Sequence, residues 1–231
     1  MSIYEDGTYA SLHPTWDEED SQWKAAQVLK LLKRNGVEFT SFADVGCGAG
    51  RVIHELSLHY PSAQFHGYDV SPQAIALARN HETSRVRFFN EDVRLHQDPR
   101  YDVLAAIDVF EHVEDYMGFL REMRRLSRWC VFHIPLDISV QAILRNLPMT
   151  IRHTAGHLHY FMKETALATL EDTGFQVLDF FYTASGLALA RSFRARLAAL
   201  PRRAFLRLHP DLCVKILGGY SLMVLATERS S

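Results

Sequence analysis

The stretch at residues 41–51, SFADVGCGAGR, constrains the fold of this chain more than any other. It predicts a short buried strand, residues 42–45, that runs directly into a glycine-rich turn and then a helix. The glycines of the turn alternate at Gly46, Gly48 and Gly50. Such glycines permit a tight turn at positive φ, a close approach of the backbone to a ligand, and close packing of helix on strand. The stretch therefore predicts a strand–turn–helix unit whose turn faces a ligand.

A second signal follows at a suitable distance. Residues 64–68 predict a second strand, which ends in Asp69. An acid about 20 residues past the glycines can accept hydrogen bonds from both hydroxyls of a ribose. The glycine spacing, GxGxG after Asp44, differs from the GxGxxG of dinucleotide-binding turns. A turn with this spacing can lie against a nucleoside that carries a small charged amino-acid tail.

Three more segments predict strands that end in acidic or polar turns. Residues 85–90 predict a short third strand, followed by Glu-Asp-Val. Residues 101–108, YDVLAAID, form an apolar run typical of a central strand in a parallel sheet, and VFEHVED follows it. Residues 129–135 predict a fifth strand. Strand–helix alternation of this kind favours a doubly wound parallel sheet, with ligands at the carboxyl ends of the strands.

These segments, in this order and spacing, resemble the motifs of the class I S-adenosylmethionine-dependent methyltransferases. The resemblance covers residues 41–135 and, more loosely, 157–183. It implies an α/β, doubly wound, seven-stranded and mostly parallel sheet, with the last strand antiparallel between the fifth and sixth. It also implies S-adenosylmethionine as cofactor. The residues expected to bind it are Asp44, Gly46, Cys47, Gly48, Gly50, Asp69 and Val70 near the glycine turn and ribose, Asp92 and Val93 at adenine, and Asp108 and Val109 at the sulfonium and methionine tail.

The expected reaction is methyl transfer to an unidentified oxygen, nitrogen or carbon of a small or carrier-linked acceptor. Alignment supplies most of the catalysis, because a sulfonium is already a good leaving group. A general base is needed only if the acceptor must lose a proton, and the candidates are His112, His133, His157 and His159. We take His112 and His157 as the catalytic pair. The spacing of His153, His157 and His159 includes no cysteine or nearby paired acid, so no metal site is predicted there.

Two other functions stay open at this point. An NAD-dependent oxidoreductase on a similar sheet is disfavoured by the glycine spacing and by the EHVED turn, and a cofactor-binding assay separates the two. A non-catalytic nucleoside-binding or scaffold protein would bind the cofactor without turnover.

The predicted organisation is an N-terminal lid and helix at residues 1–40, followed by a methyltransferase domain at 41–231. Helical insertions are expected at about 136–156 and 185–215. The aromatic residues before the first strand include Trp16 and Trp23, which either fold over the nucleoside as a lid or only pack the helix on the sheet. Ser21 is the predicted N-cap of that helix.

Charge is unevenly distributed in this chain of 231 residues with a net charge of −2. Residues 191–215 contain one acidic residue and seven basic residues, which are Arg191, Arg194, Arg196, Arg202, Arg203, Arg207 and Lys215. The helices predicted at 186–209 therefore present a solvated face, a site for a phosphate-bearing substrate, or a peripheral contact with an anionic membrane. Long nucleic acid is not an expected partner.

Three sparse cysteines, a polar N-terminus and no long apolar stretch predict a cytoplasmic protein. The sequence does not indicate the oligomeric state.

Overall fold

A seven-stranded sheet organises the computed structural model, which describes residues 20–95, 100–188 and 199–229. The strands are β1 (Ser41–Val45), β2 (Gln64–Tyr68), β3 (Val86–Phe89), β4 (Tyr101–Ile107), β5 (Ser127–Leu136), β6 (Phe175–Thr183) and β7 (Tyr220–Glu228). They lie in the order β3-β2-β1-β4-β5-β7-β6, and β7 is antiparallel to both of its neighbours. The other neighbouring strands are parallel. The predicted sheet, with the last strand inserted antiparallel between the fifth and sixth, is confirmed.

Helices cover both faces of the sheet. They are α1 (Ser21–Arg34), α2 (Arg51–Ser57), α3 (Pro72–Ala78), α4 (Tyr116–Leu126), α5 (Val140–Leu144), α6 (Leu147–Thr154), α7 (Lys163–Asp172), α8 (Ser185–Ala188), α9 (Leu200–Leu208) and α10 (Pro210–Leu217). One apolar core joins α1, α2 and α3 to one face, and the other joins α4, α7 and α10 to the opposite face. Burial on both faces explains why β4 is apolar along nearly its whole length and why residues 129–132 of β5 are apolar.

Helix ends show where local sequence signals succeed and where they fail. Ser71 caps α3 as its sequence suggests, because its hydroxyl accepts from the Ala74 amide at 3.3 Å. Ser21 was predicted to cap α1, and this is wrong: Asp20 occupies the cap position and Ser21 is the buried first helical residue. Pro201 lies in the first turn of α9, where proline is tolerated because that turn needs no proline N–H.

The insertion predicted at 136–156 consists of two short helices, α5 and α6, separated by Asn146 at φ 52°. The predicted lid residues before residue 20, and Arg191, Arg194 and Arg196, lie outside the described residues. The domain boundaries at 40 and 41 stay a prediction. None of the helices in the described ranges is long and apolar enough to cross a membrane.

Helix α1 connects one face of the sheet to the edge where the strands end. Near its C-terminus, Arg34 forms an ion pair with Asp179 of β6. Near its start, the ring of Trp23 meets that of His133 edge-on, with centroids 6.3 Å apart. The helix therefore packs on the sheet while its first turn reaches the carboxyl ends of the central strands.

Candidate active site

The glycine turn after β1 has the backbone that only glycine adopts easily. Gly46, Gly48 and Gly50 have φ values of 69°, 54° and 79°. A Cβ atom at Gly46 would lie 2.7 Å from Val109, and one at Gly50 would lie 2.5 Å from the Phe88 ring. Gly46 thus lets the turn lie against the end of β4, and Gly50 lets the start of α2 pack on β3.

Asp69, at the end of β2, is tied to this turn. One carboxylate oxygen accepts from the Gly48 amide at 2.9 Å, and the other accepts from the Ser71 amide at 2.8 Å. Burial raises the pKa of Asp69, although the two amide bonds act in the opposite direction. The carboxylate consequently stays fixed at the edge of the turn.

Asp44, the last acid of β1, lies under the turn and is buried. Its Oδ1 atom has no hydrogen-bond partner among the described residues. Burial and the neighbouring Asp69 raise the pKa of Asp44 to about 8, against the opposing charge of Lys24. A buried carboxyl without a partner is costly, so this position suits a ligand that carries positive charge.

A cluster of charged side chains surrounds Asp108, which directly follows β4 and adopts φ 57°. Lys24 of α1 places its ammonium 3.1 Å from Asp108 and 3.3 Å from Asp20. His133 of β5 bonds Asp108 through Nδ1 at 2.6 Å and Thr183 through Nε2 at 2.8 Å. Burial alone would raise the pKa of Asp108, but His133 and Lys24 outweigh it and hold that pKa low. Because both ring nitrogens of His133 are engaged, it holds Asp108 in place and is a poor candidate for a general base.

The segment after β3 carries the residues predicted to face adenine. Val93 is buried, whereas the Asp92 carboxylate accepts from the Arg94 backbone amide at 3.0 Å and from its guanidinium at 2.9 Å. Asp92 therefore already has one partner within the chain, and its bond to adenine stays a prediction.

A second polar cluster lies at the EHVED turn and the loop after α6. His157 bonds Asp137 through Nδ1 at 2.6 Å, and its ring meets that of His112 at a centroid distance of 4.7 Å. Burial and the proximity of His157 lower the pKa of His112 to about 4, so His112 is neutral at physiological pH. Glu111 is fully buried, and neither of its carboxyl oxygens has a hydrogen-bond partner among the described residues. His159 bonds the Val113 carbonyl and does not line the cavity.

One cavity of about 790 Å³ joins these groups. It is lined by every residue predicted to bind the cofactor, namely Asp44, Gly46, Cys47, Gly48, Gly50, Asp69, Val70, Asp92, Val93, Asp108 and Val109. His112 and His157 line it as well. The sequence interpretation missed Lys24, Asp137 and Glu111. Of these, only Glu111 had a local signal, its position beside His112.

Comparisons with known proteins agree with this geometry. A family model described as a methyltransferase domain matches residues 43–128. The ubiquinone biosynthesis O-methyltransferase of Bordetella parapertussis is 26% identical over 74% of this chain and 82% of its own length. The malonyl-[acyl-carrier protein] O-methyltransferase of Bacillus cereus is 29% identical over 43% of this chain and 38% of its own.

Among solved structures, magnesium protoporphyrin IX methyltransferase from Synechocystis PCC 6803 with bound S-adenosylhomocysteine superposes with a TM-score of 0.62. It is 16% identical and covers 90% of this chain and 83% of its own, a likeness that shows the fold. The fold, the glycine turn and these matches support a class I S-adenosylmethionine-dependent methyltransferase. S-adenosylmethionine is its cofactor, and the oxidoreductase and non-catalytic alternatives find no support.

Proposed function

We propose that the predicted residues hold S-adenosylmethionine in the order that the strands present them. Asp69 accepts from the ribose hydroxyls, Asp92 and Val93 contact adenine, and Asp44 faces the positively charged methionine end. The buried Asp44 carboxyl carries this proposal, because its Oδ1 atom has no partner among the described residues and a cationic ligand supplies one. The cofactor supplies a methyl group that leaves the sulfonium for the acceptor atom.

We propose that the acceptor atom is an oxygen of a small or carrier-linked molecule. Both relatives described above are named O-methyltransferases, one acting in ubiquinone biosynthesis and one on a malonyl group on a carrier protein. In this chain, His112 and His157 present two imidazoles on one wall of the cavity. We propose that these imidazoles contact the acceptor oxygen and align it with the methyl group.

The test combines labelled cofactor, fractions of cell extract and matched variants. His157→Ala should lower turnover on the acceptor that becomes labelled by about tenfold or more, with an unchanged dissociation constant for the cofactor. Tyr160→Phe is the control, because Tyr160 only donates to the His157 carbonyl at 3.1 Å and does not line the cavity. Label found on nitrogen alone, or full turnover in His157→Ala, would contradict the assignment.

We also propose a peripheral contact of α9 and α10 with anionic membranes. Both helices carry exposed apolar side chains, at Leu200, Leu208, Leu212 and Ile216. Arg203 and Arg207 are exposed on the same pair of helices. Arg202 is not available for this role, because it bonds the Gly218 carbonyl and the Tyr220 hydroxyl and lies over the Tyr220 ring.

Liposome sedimentation tests the contact. Each arginine near an anionic surface contributes about 1 kcal/mol, so Arg203→Ala with Arg207→Ala should weaken binding by about tenfold or more. Arg79→Ala is the control, since Arg79 is exposed beside α3 on the opposite face of the sheet. The attraction should fall with salt. Equal sedimentation of neutral and anionic vesicles at low salt would refute the proposal.

A further inference from the structure

Three side chains from two distant segments meet beside the cavity. Glu111 and His112 belong to the short helical turn after β4, and His157 belongs to the loop after α6. Their potential ligating atoms all lie within 4.8 Å of one another. The Glu111 carbonyl accepts from the Leu158 amide at 2.8 Å, which joins the two segments. The cluster is therefore held by the backbone and does not depend on flexible surface side chains.

Glu111 is the member that calls for an explanation. Its side chain is 0% exposed, and neither carboxyl oxygen has a hydrogen-bond partner among the residues that the structure describes. One of these oxygens lies 3.8 Å from Nε2 of His112, too far for a hydrogen bond. An unsatisfied buried carboxyl costs several kcal/mol, by the order of magnitude known for such groups. A bound cation would supply the missing partner.

His157 is oriented as a metal-ligating histidine usually is. His157 uses Nδ1 to bond Asp137 at 2.6 Å, which leaves Nε2 as its ligating atom. His112 has a hydrogen bond with the Gly156 backbone. Metal-binding histidines almost always have such a partner, a carboxylate or a backbone carbonyl, on the second ring nitrogen. Ligands about 2.1 Å from one ion are at most about 4.2 Å apart, so small side-chain rotations would close the cluster.

We propose that Glu111, His112 and His157 bind one divalent first-row transition-metal ion. Two imidazoles and a carboxylate suit such ions and leave coordination positions open. Because His112 and His157 line the cavity, with Glu111 behind them, the open positions face the space assigned to the acceptor.

The role of the ion rests on the proposed function, although its binding does not. The ion coordinates an acceptor hydroxyl and lowers the pKa of that hydroxyl. The hydroxyl proton passes to solvent, and an oxygen electron pair forms the bond to the methyl carbon. The electrons of the broken carbon–sulfur bond remain on sulfur, which becomes the thioether of S-adenosylhomocysteine. Charge and atoms balance without a further reactant.

Metal binding can be measured on the full chain without an acceptor. The protein is stripped with a chelator, dialysed and titrated with Co²⁺, followed by visible absorption and by elemental analysis of the bound metal. We expect about one ion per chain, and a loss of affinity above about tenfold in Glu111→Gln and in His157→Asn. Asp137→Asn should weaken binding by about 10–100-fold through His157. His159→Asn, two residues from His157 and outside the cluster, should bind Co²⁺ as the parent does.

Cofactor binding separates this proposal from the proposed function. Calorimetry with S-adenosylmethionine in the presence of chelator should give the same affinity for the parent and for Glu111→Gln, which also shows that the variant is folded. No Co²⁺ uptake by the parent, or equal uptake by Glu111→Gln, would overturn the metal site. Co²⁺ binding that is unchanged in Glu111→Gln but lost in His153→Asn would show that the ion binds at a different place. Turnover that is indifferent to chelator would overturn the role given to the ion.

Discussion

Proton release from Asp44 tests the cofactor end of the site quantitatively. The carboxyl is buried, its Oδ1 atom has no partner in the described chain, and its pKa is raised to about 8. In the free protein at neutral pH it therefore holds a proton. A positively charged ligand placed beside it favours the ionised form, so binding should expel that proton.

The size of the effect follows from the pKa. At pH 7 a group with a pKa of about 8 is protonated in a ratio of about 10 to 1. Cofactor binding should then release about 0.9 proton per site. Affinity should be weaker at pH 6 than at pH 7 by about tenfold, or about 1.4 kcal/mol. The α-amino group of the cofactor has a pKa near 8, and at pH 7 its proton uptake offsets only about 0.1–0.2 proton.

Calorimetry in two buffers with different ionisation enthalpies measures the released proton directly. Asp44→Asn should remove the release, whereas Asp92→Asn, which alters another acid of the same cavity, should keep it. Asp44→Asn should also change how the free energy of unfolding depends on pH in the absence of ligand. The folded parent holds the Asp44 proton more tightly than the unfolded chain, so its stability falls as pH rises from about 4 towards about 8. The free energy of unfolding of Asp44→Asn, relative to that of the parent, should therefore increase as pH rises over that range. If the parent releases no proton at pH 7, or Asp44→Asn releases as much, the charge argument is wrong.

Three further variants test the surrounding framework. Asp69→Ala should weaken cofactor binding by about 2–3 kcal/mol in calorimetry, because a carboxylate that accepts from ribose is lost; an unchanged affinity would place the ribose elsewhere. Lys24→Met should lower the free energy of unfolding in urea by about 2 kcal/mol, since Asp108 loses one partner of a partly buried pair, and a neutral result would show that His133 alone suffices. Gly50→Ala should cost about 1–3 kcal/mol, because it combines φ 79° with a Cβ atom 2.5 Å from the Phe88 ring; parent-like stability would mean that the ring moves without cost.

The central strands could be predicted because their sequences allow little else. An apolar run such as residues 101–108 fits a strand buried on both faces, and an acid at its end marks the carboxyl edge of the sheet. The glycine turn was equally restrictive, since all three glycines have positive φ. The antiparallel placement of β7 came from the family resemblance, because the residues of β7 themselves are apolar throughout most of their length and fit either direction.

The rest of the site depends on tertiary contacts that leave no local pattern. Lys24 belongs to an amphipathic helix, where a lysine ordinarily indicates a solvated face. Asp137 and His157 are 20 residues apart, and they meet only because α5 and α6 return the chain to the cavity. Arg202 was assigned to a polar face with its neighbours, yet it packs on Tyr220 at the start of β7, a contact that helical periodicity does not reveal.

The distribution of partners among the acids of the site indicates what the chain leaves for its ligands. Asp69 is satisfied by two backbone amides, Asp108 by Lys24 and His133, and Asp137 by His157. Within the described ranges, one oxygen of Asp44, at the cofactor end, and both oxygens of Glu111, at the acceptor end, have no hydrogen-bond partner. Both positions therefore favour ligands that bring positive charge. An NAD-type cofactor would bring a pyrophosphate beside Asp44 and Asp69, and its negative charge would oppose the ionisation of Asp44 instead of favouring it. The arrangement that suits a sulfonium cofactor thus disfavours the dinucleotide on physical grounds, independently of the glycine spacing.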